Sequence, residues 1–232
     1  LSSCNKLVNL GRKNSGFHEA QLNLMLLKPL GITEKFTKES IPEYYGLVKP
    51  GLSNPFQKYL DKERFNLILH PKSKGSAREW GLNNYRRLIE ILPSGQFRIF
   101  ITGTEEEGKI IRKILPGSSS DVTDLTGKMD LAGLIDFIGM AEGIVAASTG
   151  PLHIAAAYGK YAMGIYAPMR PIHPGRWAPL GEKASYFVLD KTCIACKRSE
   201  NCSCISAIQP EEVKDRLIAA CEFRIKTEHK KN

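Results

Sequence analysis

The sequence predicts an α/β domain built on a doubly wound parallel sheet. Three observations carry that prediction. Short continuous apolar runs recur from residue 66 to residue 166, amphipathic stretches separate them, and turn residues follow each run. Strands of a parallel sheet are covered on both faces, so they read as unbroken apolar runs and not as strict alternation. Runs joined by helical stretches of about 10–15 residues are the pattern of βαβ units.

Residues 1–60 carry turn signals at Lys28-Pro29, Ile41-Pro42, Lys49-Pro50-Gly51 and Asn54-Pro55 around one helix-like stretch, Glu19 to Leu30. This part reads as the end of a preceding domain plus a linker. The apolar runs that follow are Asn66–His70, Phe97–Thr102, Val122–Leu125, Ile144–Ala147 and Ala162–Tyr166. Between them lie helical patterns over Leu82–Leu92, Glu105–Leu115, Leu131–Ala141 and Pro151–Tyr158. We divide the chain into this remnant and linker, a ligand-binding domain over residues 61–210, and a C-terminal helix and tail over residues 211–232.

The 232 residues suffice for one large domain or a domain plus part of another. A composition of 42% hydrophobic and 25% charged residues is that of an ordinary globular protein, and no apolar run is long enough to span a bilayer. The chain starts at Leu1 without the pattern of a signal peptide, which suggests a fragment or a trimmed product of a cytoplasmic protein. A net charge of +9 favours a phosphate-bearing ligand, an anionic membrane face or nucleic acid. No basic stretch interleaved with aromatics appears, which argues against nucleic acid. Lys226, Lys230 and Lys231 read as a solvated, frayed tail.

Doubly wound sheets bind ligands outside the carboxyl ends of their strands, so the residue after each run is where chemistry is expected. The first run leads into His70-Pro71-Lys72-Ser73-Lys74-Gly75-Ser76-Ala77-Arg78-Glu79-Trp80, with hydroxyls, a glycine and three cations suited to a phosphate or simply to solvent. The second leads into Gly103 and three acids, Glu105, Glu106 and Glu107. Acids at a helix start complement its dipole, and one of them could also accept from a ribose diol. The third leads into Thr126-Gly127-Lys128-Met129, a plausible wall for a base.

The fourth gives the strongest local signal, Ser148-Thr149-Gly150-Pro151-Leu152-His153. Ser148 or Thr149 can cap the helix, Pro151 suits its first turn, and Ala155–Ala157 permits close approach to the sheet. Its N–H groups then face the crevice as an anion site, with His153 in the first turn as either a structural or a ligand-contacting histidine. The fifth run leads into a long loop, residues 167–177, with Arg170 and Arg176 placed to close over a ligand.

These motifs in this order, together with Phe17-His18-Glu19-Ala20-Gln21-Leu22-Asn23 ahead of them, resemble the ADP-heptose:lipopolysaccharide heptosyltransferases of glycosyltransferase family nine. The similarity runs from about Phe17 to Leu217. It implies a GT-B architecture of two Rossmann-like domains, of which this chain holds the C-terminal, donor-binding one. By the same resemblance, Ser76 and Arg78 hold a diphosphate, and Ser148, Thr149, Gly150 and His153 contact phosphate and sugar. Glu107 takes the ribose, and Lys128 with Met129 borders the base. Many members have aspartate where this chain has Ser148. The transfer it implies is metal-independent and needs no cofactor. The general base and acceptor site belong to the family's first domain, so this chain alone is not expected to turn over. The implied partners are a nucleotide-diphosphate sugar and a lipid-anchored saccharide acceptor met at the inner membrane face.

Six cysteines remain. Cys4 and Cys221 are isolated, whereas Cys193, Cys196, Cys202 and Cys204 cluster as structural thiols, a disulfide set or a zinc site. The last pair is spaced more tightly than zinc sites usually allow. Two other readings stand beside the transferase: a non-catalytic nucleotide-sugar-binding module and a cysteine-centred metal or redox protein. A dehydrogenase is disfavoured, because no G-x-G-x-x-G follows the first run.

Overall fold

The computed structural model describes residues 5–12, 15–48, 55–117, 119–189 and 203–229, with side chains through residue 227. Six parallel strands form one sheet there: β1 Phe65–His70, β2 Phe97–Ile101, β3 Val122–Asp124, β4 Gly143–Ala147, β5 Tyr161–Ile165 and β6 Ala184–Phe187. Their order is β3-β2-β1-β4-β5-β6. The helices are α1 Glu19–Leu24, α2 Leu82–Ile91, α3 Glu105–Ile111, α4 Leu131–Met140, α5 Gly150–Ala157, α6 Pro174–Trp177, α7 Ser203–Ser206 and α8 Pro210–His229.

β1 lies at the centre and explains why its run is unbroken. Every one of its residues is buried. Phe65, Leu67 and Leu69 face Tyr85 and Leu88 of α2 and Val213, Leu217 and Ala220 of α8. Ile68 turns the other way, toward Phe100, Phe137 of α4 and Leu152 and Ala155 of α5. Helices therefore cover both faces, as the doubly wound reading expects. β1 pairs with β2 on one side and β4 on the other, and the chain reverses its direction of travel across the sheet between these two neighbours. The loops after β1 and β4 diverge there and leave a crevice.

Close approach of α5 to the sheet depends on small residues. At Gly164 of β5 an added Cβ would come within 2.9 Å of Leu152 Cδ2 and would also strike the Tyr166 ring. Gly164→Ala is expected to cost about 1–3 kcal/mol by overpacking, read as a lower midpoint in urea unfolding with unchanged slope.

The structure departs from the sequence reading in four places. β6 was not foreseen, because an edge strand pairs on one side only and its half-exposed residues make no continuous apolar run. The stretch Glu19 to Leu30 is α-helical only to Leu24 and continues as a 3-10 helix, Met25–Leu30, with Pro29 inside it. Proline has no N–H to donate and its ring crowds the preceding turn. The helix from Glu105 ends at Ile111, and the chain reaches Leu115 through turns. Lys226, read as part of a frayed tail, lies in α8. That helix is held by its apolar face and by Arg224, which donates to the carbonyls of Arg64 and Lys62 at 2.8 and 3.0 Å. Among the described residues, no helix is long and apolar enough to cross a membrane.

Candidate functional site

A cavity of about 450 Å³ opens at the switch point and is lined by Ser76, Ser148, Thr149, Gly150, His153, Pro171, Ile172, Arg176 and Trp177. Three separate segments build it: the loop after β1, the β4–α5 junction and the loop around α6. α5 points its first turn into this space. Thr149 occupies the N-cap position, yet its side chain caps nothing. Its Oγ1 is buried and has no hydrogen-bond partner. The expected side-chain cap is thus missing, and the first-turn N–H groups, which have no partner inside a helix, are left to the cavity. A buried hydroxyl left without a partner costs free energy.

Ser148 is committed elsewhere. Its hydroxyl is hydrogen-bonded to Tyr166, and the Tyr166 O–H donates to the Trp177 carbonyl. This chain fixes the α6 loop to the end of β4. No sequence pattern announces this link, because Tyr166 reads there only as the end of an apolar run.

His153 is half-buried, 6.5 Å from the Trp177 ring centroid. Burial first, and His18 second, hold its pKa down to about 4. It is therefore neutral near pH 7 and can both donate and accept. A folded value below the unfolded one near 6.5 means stability is fully present above pH 6.5 and is lost as pH falls through about 4. His18, His70 and His173 are shifted in the same direction, chiefly by burial. His153→Gln is expected to make the fall in melting temperature between pH 6.5 and 4 shallower. A parallel fall in both proteins would remove His153 from that account.

The other anticipated residues are spread around this cavity. Arg78 lines a neighbouring space of about 620 Å³, with Lys72, Ser73, Glu79, Trp80, Ser203 and Ser206. Lys72 is ion-paired with Glu79, which also accepts from Ser73 N at 3.0 Å, so the loop is organised by its own carboxylate. Glu107 closes a capping box: Thr104 N donates to its Oε2 at 2.8 Å. Lys128 is exposed, and Met129 packs against the core beside α4. The loops carrying these three are stitched together where Gly127 N donates to the Gly103 carbonyl at 2.9 Å. They stand on the β2 and β3 side of the switch point and do not line the cavity. Arg170 is exposed.

Arg176 lines the cavity but is engaged, pairing with Glu19 of α1 at 2.7 Å. Beside it, His18 caps α1 through Nδ1, which accepts from Ala20 N at 3.2 Å, and its Nε2–H donates to the Ala178 carbonyl at 2.9 Å. Both residues stand in the sequence at the connection ahead of the domain. Their docking onto the α6 loop joins positions too far apart in the chain for pattern reading to link them.

Cys193, Cys196 and Cys202 lie outside the described residues. Cys204 is buried in α7 and Cys221 in α8. Among the described residues, no group of His, Cys, Asp or Glu is arranged to hold a metal ion.

The lipopolysaccharide core heptosyltransferase OpsX of Haemophilus influenzae is 24% identical over 131 residues, 56% of this chain and 38% of that protein. Lipooligosaccharide heptosyltransferase 2 of Haemophilus ducreyi is 32% identical over 131 residues, 54% of this chain and 37% of that protein. The chain thus matches little more than a third of the length of these curated relatives. Among solved structures, E. coli ADP-heptose lps heptosyltransferase II shares the fold with a TM-score of 0.59 at 21% identity, covering 82% of this chain and 54% of that one. The glycosyl transferase family 9 protein of Veillonella parvula aligns with a TM-score of 0.69 at 14% identity, covering 92% and 62%. A family model described as glycosyltransferase family 9 (heptosyltransferase) matches residues 9–204. That span takes in all six strands and every residue of the cavity, and the chain belongs to glycosyltransferase family 9.

Proposed function

We propose that this chain carries the donor site of a glycosyltransferase that moves a heptose-type sugar from a nucleotide diphosphate, ADP-heptose, to a saccharide of the lipopolysaccharide core. The observation that carries the reading is the cavity at the switch point. There an uncapped α5 N-terminus, a buried Thr149 hydroxyl without a partner and a neutral His153 face one space.

Transfer leaves a nucleoside diphosphate carrying new negative charge, and stabilising that charge lowers the barrier. The first-turn N–H groups of α5 and Thr149 Oγ1 are fixed donors for it, while Ser76 across the cavity gives its own hydroxyl proton to the Ser73 carbonyl at 2.7 Å. They act without reorganising, because the sheet and the link from Ser148 through Tyr166 to Trp177 hold them. Neutral His153 adds a hydrogen bond to phosphate or sugar without a full charge of its own. Arg78 in the adjoining space would serve the diphosphate, and Glu107, Lys128 and Met129 the ribose and base. These contacts are metal-independent. The acceptor is lipid-anchored at the cytoplasmic face of the membrane, where a net charge of +9 favours approach to anionic headgroups.

Calorimetric titration with ADP in the presence of EDTA tests the donor site. We expect saturable binding that Thr149→Val weakens by about tenfold, the worth of a charge-assisted hydrogen bond. No binding of ADP, UDP or GDP would sink the proposal. To separate a transferase from a non-catalytic binding module, the product of the whole gene is given ADP-heptose with and without a core acceptor. ADP release that requires acceptor supports transfer.

A further inference from the structure

The cation at the cavity wall is not free to meet a phosphate in the arrangement described. Arg176 Nε and Nη2 both approach Glu19 Oε2 at 2.7 Å, and Nη1 donates to the Arg12 carbonyl at 3.3 Å. Glu19, the first residue of α1, keeps only 7% of its side chain exposed. Its other oxygen, Oε1, is ion-paired with Arg12. One nearly buried carboxylate is therefore shared between two guanidinium groups, Arg176 at 14% exposure and Arg12 at 38%. Arg176 lines the cavity, and Glu19 does not.

We propose that Glu19 is a positioning residue that holds Arg176 in reserve, so that a diphosphate entering the cavity takes the Arg176 guanidinium while Glu19 passes to Arg12. The inference rests on the donor-site reading. A diphosphate offers more charge and more acceptor oxygens than a carboxylate and suits the planar guanidinium fork. Breaking a buried ion pair is strongly unfavourable when one charge is left alone. Arg12 removes that obstacle, because Glu19 already touches it and need not be stranded. Donor occupancy is thereby coupled to α1, whose His18 is tied to the same loop at Ala178. The segment ahead of the domain thus senses a filled cavity.

The test is calorimetric titration of the full chain with ADP and with adenosine, which has no phosphate for Arg176 to take. Glu19→Gln removes the competing charge and is expected to tighten ADP about three- to tenfold while leaving adenosine unchanged, the range for one close charge pair at a partly solvated site. The gain disappears when Arg176→Ala is added, which a merely structural effect of Glu19 would not produce. Arg12→Ala leaves Glu19 with Arg176 alone and is expected to weaken ADP. Should Glu19→Gln not fold, Arg12→Ala decides, since that side chain is far more exposed than Glu19, at 38% against 7%. An ADP-to-adenosine affinity ratio that Glu19→Gln leaves unchanged or lowers, or that Arg12→Ala leaves unchanged or raises, overturns the inference while the donor site stands. Absence of ADP binding in the wild type overturns both.

Discussion

Gly150→Leu is expected to abolish ADP binding, by about a hundredfold or more, while the melting temperature stays within about 2 °C of the wild type. A Cβ built at Gly150 meets nothing within 4 Å, and its φ lies outside the left-handed region, so the folded chain accepts a side chain there. Leucine in the first turn of a helix also costs no propensity relative to glycine. The open space around residue 150 is, however, the space in front of the α5 N–H groups and Thr149 Oγ1. A leucine fills it and denies a diphosphate at least two charge-assisted hydrogen bonds of about 1.5–3 kcal/mol each, which sets the hundredfold figure. Calorimetry and a thermal melt on the same preparation decide the matter. ADP binding within about threefold of the wild type would show that the diphosphate sits elsewhere, with the space around Arg78 as the next candidate.

The second large effect concerns stability. Trp80→Ala is expected to destabilise the chain by about 3–5 kcal/mol, which for a chain of this size lowers the melting temperature by roughly 6–20 °C. Trp80 is fully buried, meets Tyr85 edge-to-face at 5.0 Å, and donates through Nε1 to the Ile208 carbonyl at 2.9 Å. Truncation opens a cavity between α2 and the lead into α8 and also leaves a buried carbonyl unpaired. Trp80→Phe separates the two contributions, since it keeps most of the volume and loses the hydrogen bond. A loss of less than about 1 kcal/mol in the alanine variant would mean that α8 does not depend on this contact.

The sheet was legible because its strands are covered on both faces, and β1 to β5 therefore announce themselves as apolar runs. β6, half-exposed at an edge, carries no such pattern. The α5 junction was legible as an anion site from proline, small residues and position after β4. Its details were not: Ser148 or Thr149 reads as a cap from the sequence, and Thr149 takes the position but caps nothing. Arg176 reads as a free loop cation, and its neutralisation by Glu19 depends on a contact across 157 positions of chain. Glu107 shows the reverse. Its place three residues after Thr104 is that of a capping box, a local signal that the sequence reading passed over, and one carboxylate oxygen is spent on it.

α8 has a consequence for synthesis. Its residues Val213, Leu217 and Ala220 complete the core face begun by Phe65, Leu67 and Leu69. The central strand thus leaves the ribosome long before the helix that seals it. Until then that face is only partly roofed by α2, and the nascent domain exposes an apolar strip of the kind chaperones bind. Such distant closure also makes folding slow relative to a helical bundle of equal length. A stop codon ahead of Pro210 would yield an intact switch-point cavity in sequence but a sheet with one side only partly covered, by α2.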